Sequence, residues 1–212
     1  MKILCISDTH GQHRKLNLPE ADMIIHAGDM SGKGEAWQIR EFFEWFSKLS
    51  YRYKICIAGN HDFMAEREPE EFLKLVPDNC IYLNDSGIEI ENIKIWGSPI
   101  SPAYHNWAFN KERGHEIAKH WDLIPPDTDI LITHGPPLDV LDKTIWGKRV
   151  GCEDLKKKIE QIRPKIHIFG HIHEDYGILK IFDTTFINAS SINIDYIPLH
   201  KPIIYELNDS IS

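Results

Sequence analysis

Residues 2–10 read Lys2-Ile3-Leu4-Cys5-Ile6-Ser7-Asp8-Thr9-His10, and residues 165–173 read Lys165-Ile166-His167-Ile168-Phe169-Gly170-His171-Ile172-His173. Each is a short apolar run that breaks off at two metal-capable side chains. Short runs that stay apolar at successive positions mark strands buried on both faces of a parallel sheet. The pattern returns three times. Asp22–His26 ends in Ala27-Gly28-Asp29, Tyr53–Ala58 in Gly59-Asn60-His61-Asp62, and Asp129–Thr133 in His134-Gly135-Pro136-Pro137.

Between these runs the period changes. Over Glu35–Leu49, residues Trp37, Phe42, Trp45, Phe46 and Leu49 recur at helical spacing, which predicts a helix with these side chains in the core. Shorter helices are expected over Pro69–Leu75, Asn110–Trp121 and Glu153–Ile162, the last stopped by Pro164. Brief β segments follow the third run, near Ile81–Leu83, Gly87–Ile90 and Lys94–Trp96, with turn residues between them. Ser98–Trp107 reads as a loop, and Ile178–Asp183, Thr185–Asn188 and Pro202–Leu207 as further strands. Strand–helix–strand alternation in the first half implies βαβ units, and the later meanders imply added antiparallel strands. The expected fold class is α/β, with sheet between helical layers and two face-to-face sheets as one arrangement the pattern allows. The whole of 1–212 is expected to form one domain, without repeats or linkers.

Composition narrows the function. The chain has 212 residues, 42% apolar and 26% charged, which is ordinary for a globular protein. Against 24 Lys and Arg stand 32 Asp and Glu, a net charge of −8. That balance argues against a partner that is a long nucleic acid or an anionic membrane, and leaves room for a small phosphate at a locally positive site. The apolar start is too short for a signal peptide and no run is long enough for a membrane helix, so the expected location is the cytoplasm. The four cysteines form no CxxC pair; Cys5 and Cys56, inside strand runs, are expected to be reduced core residues.

Histidine is the unusual residue, with 12 in the chain. Loops at the carboxyl ends of strands build the ligand crevice of α/β sheets. Five such ends would gather Asp8, His10, Asp29, Asn60, His61, His134, His171 and His173. Without thiolates, this set suits Mn, Fe, Co, Ni or Zn, not a structural zinc knot. Leaving His61 aside, seven ligands exceed one ion's needs and fit two ions sharing a carboxylate, with Asp29 the natural bridge. Two divalent ions with two carboxylates leave positive charge in an acidic protein, which draws a phosphate substrate.

The blocks Asp8-Thr9-His10, Gly28-Asp29, Gly59-Asn60-His61-Asp62, Thr133-His134-Gly135 and Gly170-His171-Ile172-His173 resemble, in order, those of the calcineurin-like metallophosphoesterase superfamily. The resemblance runs over about residues 3 to 207. It implies a four-layer α/β/β/α sandwich and a dinuclear phosphoesterase. It implies that Asp8, His10, Asp29 and His173 hold one metal, and Asp29, Asn60, His134 and His171 the other, with Mn the first choice. It also implies in-line attack on phosphorus by a bridging hydroxide held at Asp29, with His61 facing the substrate as catalytic residue and Asp62 orienting it. The second block continues as Met30-Ser31-Gly32-Lys33-Gly34, without the Arg of phosphoprotein phosphatases. Gly97-Ser98-Pro99, then Asn106-Trp107-Ala108-Phe109, look like the metallophosphoesterase-domain branch first described from brain and fetal brain, similar to class III phosphodiesterases. That likeness implies a small phosphorylated substrate: phosphodiesters, with cyclic or simple nucleotides among them. The alternative is a nucleotide-binding or scaffold module with weak residual activity, as in relatives that have lost ligands. A nuclease on long strands is a third reading, disfavoured by the charge.

Each block alone has a plainer explanation, since Asp, Asn and Gly favour turns and caps; five in order do not. His26 and His167, inside strand runs, read as core histidines. His13, His115, His120 and His200 read mostly as surface residues. His105, Trp107 and Phe109 are candidate substrate contacts, and Tyr104, with Trp107 and Phe109, is a candidate for stacking on a base or for anchoring its own loop. The sequence sets no oligomeric state.

Overall fold

The computed structural model describes residues 1–207. One sheet has the order β13-β1-β2-β3-β4, built from β1 (Lys2–Ile6), β2 (Met23–Ala27), β3 (Tyr53–Ile57), β4 (Ile81–Tyr82) and β13 (Ile203–Glu206). The first four run parallel and β13 closes the edge antiparallel. The second sheet has the order β11-β12-β10-β9-β6-β5. Its members are β5 (Ser86–Ile90), β6 (Ile93–Ser98), β9 (Ile130–Thr133), β10 (Ile166–Phe169), β11 (Gly177–Ile181) and β12 (Thr184–Asn188). Its four central strands are parallel, and β5 and β11 are antiparallel edges.

Alternation along β1 shows how the layers form. Ile3 and Cys5 point into one apolar cluster, and Leu4 and Ile6 into the other. The first cluster joins the sheets face to face, with Ile25 and Ile55 meeting Ile95, Ile132, Ile166 and Ile168. The second packs the outer faces against helices. These are α1 (Ala36–Phe46) and α3 (Pro69–Leu73) on one side, α4 (His115–Asp122) and α5 (Glu153–Ile162) on the other. The result is the α/β/β/α arrangement. Each fully buried Ile or Phe contributes about 1.5–3 kcal/mol. No helix among the described residues is long and apolar enough to cross a membrane. The four cysteines are buried and unpaired.

Several expectations need correction. Trp37 is 64% exposed. At ~100° per residue it lies about 140° from Phe42, off the stripe of Ile39, Phe42, Phe43 and Phe46 that α1 buries. A helix from Asn110 is also wrong at its start. Asn110–Lys111 forms β8, paired in parallel with β7 (Ser101–Pro102), and α4 begins only at His115. A further helix, α2 (Phe63–Arg67), follows the His61 loop. His13 is fully buried, its ring 4.5 Å from that of Trp45, and is no surface residue.

Candidate metal centre and cleft

The ends of β1, β2 and β3 in one sheet and of β9 and β10 in the other point at a common spot. There the two sheets touch through the Ser7–Ser190 bridge. The turns after the strands are tight: Asp8, His10, Asp29 and His171 all have positive φ, at 51°, 43°, 56° and 68°. Left-handed backbone in non-glycine residues is costly and gathers where function fixes it. Glycine makes the approach close enough. A Cβ on Gly170 would lie 2.0 Å from Asp8 Oδ2, and one on Gly28 2.5 Å from His134 Nδ1.

Three sets of ligand atoms converge: Asp8 with His10 and His173, Asp8 with Asp29 and His134, and His10 with Asp29 and His61. Asp29 Oδ2 lies 3.5 Å from His10 Nε2 and 3.4 Å from His134 Nε2. Asp8 Oδ1 lies 3.5 Å from His173 Nε2, and the Asp8 carboxylate accepts from His171 N–H at 3.0 and 3.1 Å. His134 Nδ1 donates to the Ala27 carbonyl at 3.0 Å, which turns Nε2 toward Asn60 Oδ1 at 2.8 Å. The ring of His171 stands 5.0 Å from that of His134. All seven residues expected to ligate metal therefore surround one spot.

These residues fit divalent cations. Both ring nitrogens of His10 are buried and have no hydrogen-bond partner among the described residues, a costly state for polar atoms. With Nδ1 donating, a neutral His134 would set the lone pair of Nε2 against the oxygen of Asn60. A proton or a cation between them resolves that conflict. Burial pulls His134 down, but Asp29 and then Asp8 more than offset it and raise it to about 9. Burial would raise Asp29 too, yet His134 and His10 hold it well below the usual carboxylate range. Burial lowers His10 and His171 to about 4, so both present neutral rings, the form that binds metal. Two buried carboxylates thus demand positive charge close by, which draws a proton to His134 and which divalent cations would supply more fully.

His61 sits differently. Its N–H donates to Asp29 Oδ1 at 2.8 Å and its Nδ1 donates to the Gly32 carbonyl at 2.8 Å, leaving Nε2 free. Asp62 does not make the expected contact with this ring. Its buried carboxylate accepts from Gly59 N–H, Met30 N–H, Ser31 N–H and Ser31 Oγ, tying the two loops together. Burial, then the charge of Asp29, raises it to about 6. Asp62 therefore bears on His61 indirectly, by bracing His61's own loop at Gly59 and tying it to the loop that carries Gly32.

A cleft of about 180 Å³ opens over the cluster, lined by Asn60, His61, His171, His173, Trp107 and Tyr104 among others. Trp107 reaches it by an edge, because its ring stacks on His61 at 4.2 Å and on Phe63 at 5.7 Å. His105 lines a neighbouring groove, which it shares with Trp107 and Phe63. Phe109 is only 4% exposed and packs in the helix-side core, so it does not face the cleft as expected. Tyr196, which sequence reasoning missed, roofs the site, 5.0 Å from the His10 ring and 5.5 Å from the His173 ring. No motif marks it. It comes from the long loop after β12, held where Gln12 Nε2 donates to its carbonyl.

Residues 1–175 match the family described as Calcineurin-like phosphoesterase. The chain belongs to that family. As a calcineurin-like phosphoesterase it is 40% identical, over 97% of its length and 71% of the relative's, to human (Homo sapiens) metallophosphoesterase domain-containing protein 1. Among solved structures, a phosphopantetheinyl hydrolase from Mycobacterium tuberculosis superposes with a TM-score of 0.67 at 12% identity, covering 92% of this chain and 90% of that one. TT1561 of Thermus thermophilus gives 0.61 at 14% identity over 88% of both chains. These two likenesses show the metallophosphoesterase fold. The family is one of metal-dependent hydrolases of phosphoester bonds, typically with two divalent metals, and this member has candidate ligand clusters for divalent metal.

Proposed function

We propose that this chain hydrolyses phosphodiesters of small molecules, with cyclic and simple nucleotides among the candidate substrates. The observation that supports this best is the pair of carboxylates, Asp8 and Asp29, sharing one buried pocket with ligand-ready imidazoles. Asp8, His10, Asp29 and His173 would hold one divalent ion, and Asp29, Asn60, His134 and His171 a second, with Mn²⁺ the first to try. When bound, such ions polarise phosphoryl oxygens and acidify water, which makes in-line displacement at phosphorus accessible near neutral pH.

The chain's own residues do the rest. The His61 backbone and the ring of His134 hold Asp29 in place. His61, with Nδ1 committed to Gly32, presents Nε2 to the cleft, where it can donate to a phosphoryl oxygen or protonate the departing alkoxide. Tyr196 and Trp107 line the cleft, where they would limit the water around a bound phosphate. The acidic surface elsewhere favours a small substrate over a long strand, and a cytoplasmic setting suits the reduced cysteines.

The test is hydrolysis of bis(p-nitrophenyl) phosphate by protein stripped with EDTA, before and after Mn²⁺ is added. Restored turnover that Asp29→Asn abolishes supports the proposal. Full activity in Asp29→Asn, or in the stripped protein, overturns it. His61→Ala should keep metal and lose about 10²–10⁴-fold in kcat.

A further inference from the structure

The segment between β7 and β8, read from sequence as a loop offering substrate contacts, is tied to the His61 loop and to α2, one bond to each. Ala108 N–H donates to the Asn60 carbonyl at 3.1 Å, and Phe109 N–H donates to Glu66 Oε1 at 2.8 Å. Ala108 and Phe109 are themselves buried, which anchors the strap. Asn110 Nδ2, donating to the Tyr104 carbonyl at 2.9 Å, closes its base. The residue just before these anchors is Trp107.

Trp107 stacks with two rings. The His61 ring lies 4.2 Å away and 29° from parallel, and the Phe63 ring lies 5.7 Å away at 28°. The guanidinium of Arg67 covers Phe63 from outside, 4.3 Å from the ring centroid. The His61 ring also meets the His10 ring in a T-shaped contact with centroids 4.5 Å apart. His61 is therefore packed against an indole and a candidate metal ligand, while Gly32 takes its Nδ1. A χ2 rotation that swapped the two ring nitrogens would break the Gly32 bond. Tilting the ring would need the indole to move, and the indole is held by the strap.

We propose that Trp107 is a positioning residue for His61, and that Glu66 holds it in place through the strap. The indole backs the imidazole so that Nε2 stays aimed into the cleft. The indole surface that backs His61 is not available to stack a substrate ring. The inference rests on the reading of His61 as the substrate-facing group. It makes a separate claim about geometry that stands or falls without turnover.

Two measurements test it. In Zn²⁺-loaded protein, NMR should show the His61 ring protons shifted upfield by the indole, and long-range ¹H–¹⁵N correlations should show a single tautomer protonated at Nδ1. Trp107→Ala should lose the upfield shift and mix the tautomers; Trp107→Phe should keep one tautomer. In Mn²⁺-loaded protein with bis(p-nitrophenyl) phosphate, Trp107→Ala should lower kcat about 10–100-fold, the cost of an ångström-scale misplacement. KM should change less than about threefold, and Trp107→Phe should recover most of the loss. In a His61→Ala background the same substitution should cost less than about twofold, because residues acting as one unit are non-additive. Glu66→Ala, which frees Phe109 N–H, should shift kcat the same way by a smaller factor.

A raised KM with kcat intact, or an equal loss in the His61→Ala background, overturns the proposal by placing Trp107 on the substrate. An unchanged His61 spectrum in Trp107→Ala overturns it directly. Absence of turnover in the wild type would refute the phosphodiesterase reading alone, and the NMR arm would still decide the role of Trp107.

Discussion

Gly170→Ala is a one-methyl change whose effect can be worked from contacts. A Cβ there would lie 2.0 Å from Asp8 Oδ2, 2.3 Å from Ser7 Oγ and 2.7 Å from Ser7 Cβ. Contacts below about 3 Å are repulsive, so Asp8 or the Gly170 backbone must yield by about 1 Å. Asp8 is fully buried and its oxygens already accept from His171 N–H. Overpacking costs about 1–3 kcal/mol, and a weakened hydrogen bond to a charged group adds about 1.5–3 kcal/mol. At a urea m-value of about 2–3 kcal/mol/M, the sum lowers the midpoint by roughly 1–3 M. Metal affinity falls as well, because ligand positions tolerate only about 0.2 Å. A loss of 10–100-fold is the scale for disturbed ligand support. Gly135→Ala is the matched control. It lies beside His134, but its Cβ would meet nothing closer than 3.9 Å, and it should be neutral or slightly stabilising. Urea melts in EDTA followed by tryptophan fluorescence, with Mn²⁺ titrations by calorimetry, separate the two terms. Equal midpoints and equal affinities for the two variants would refute the steric account of why glycine precedes His171.

Other predictions follow from the same contacts. His167 is fully buried and burial lowers it to about 3, so its folded pKa lies below its unfolded value of about 6.5. The unfolded chain therefore takes the proton first, and the stability present above pH ~6.5 is lost as the pH falls toward 3. His167→Phe leaves Thr133 Oγ1 its donation to the Gly135 carbonyl. It should flatten the stability loss between pH 6.5 and 5 by about 2 kcal/mol; urea midpoints that move in parallel for both proteins would count against it. Asp62→Asn should cost about 3–5 kcal/mol, because both carboxylate oxygens accept two donors and either orientation of an amide NH₂ faces some of them; a midpoint within error of wild type would show that the knot is dispensable. Trp37→Ser should change stability by less than about 0.5 kcal/mol, whereas Phe42→Ala should cost about 3–5 kcal/mol. A reversal would mean that α1 is rotated.

Much of the frame was legible because it rests on side-chain periodicity. Within Lys2–Ser7 and Lys165–Phe169 the apolar residues, such as Ile3–Ile6, fall on both sides of the strand because both faces are covered, and the observed β1 and β10 fall inside these runs. The cluster was legible because each strand carries its polar group just past its carboxyl end, where a parallel sheet gathers such groups. Helical spacing misled at Trp37, since an aromatic residue at a plausible interval can still lie off the buried stripe.

What stayed hidden belongs to backbone groups and to distant loops. The partner of His61 Nδ1 is a carbonyl on a glycine, a group every residue owns and no sequence pattern reveals. Asp62, adjacent to His61 in sequence, turns instead toward Met30 and Ser31, so proximity in the chain pointed to the wrong partner. Tyr196 enters from a loop with no periodicity, and the burial of His13 depends on the aromatic face of α1. The strap repeats this lesson: Trp107, Ala108 and Phe109 are consecutive, yet one stacks on His61, one bonds Asn60 and one packs in the core. Metal ligands are specified by residue type and so can be read from sequence. The orientation of the group that meets the substrate is specified by backbone and packing, and it is there that substitutions outside every motif should alter turnover.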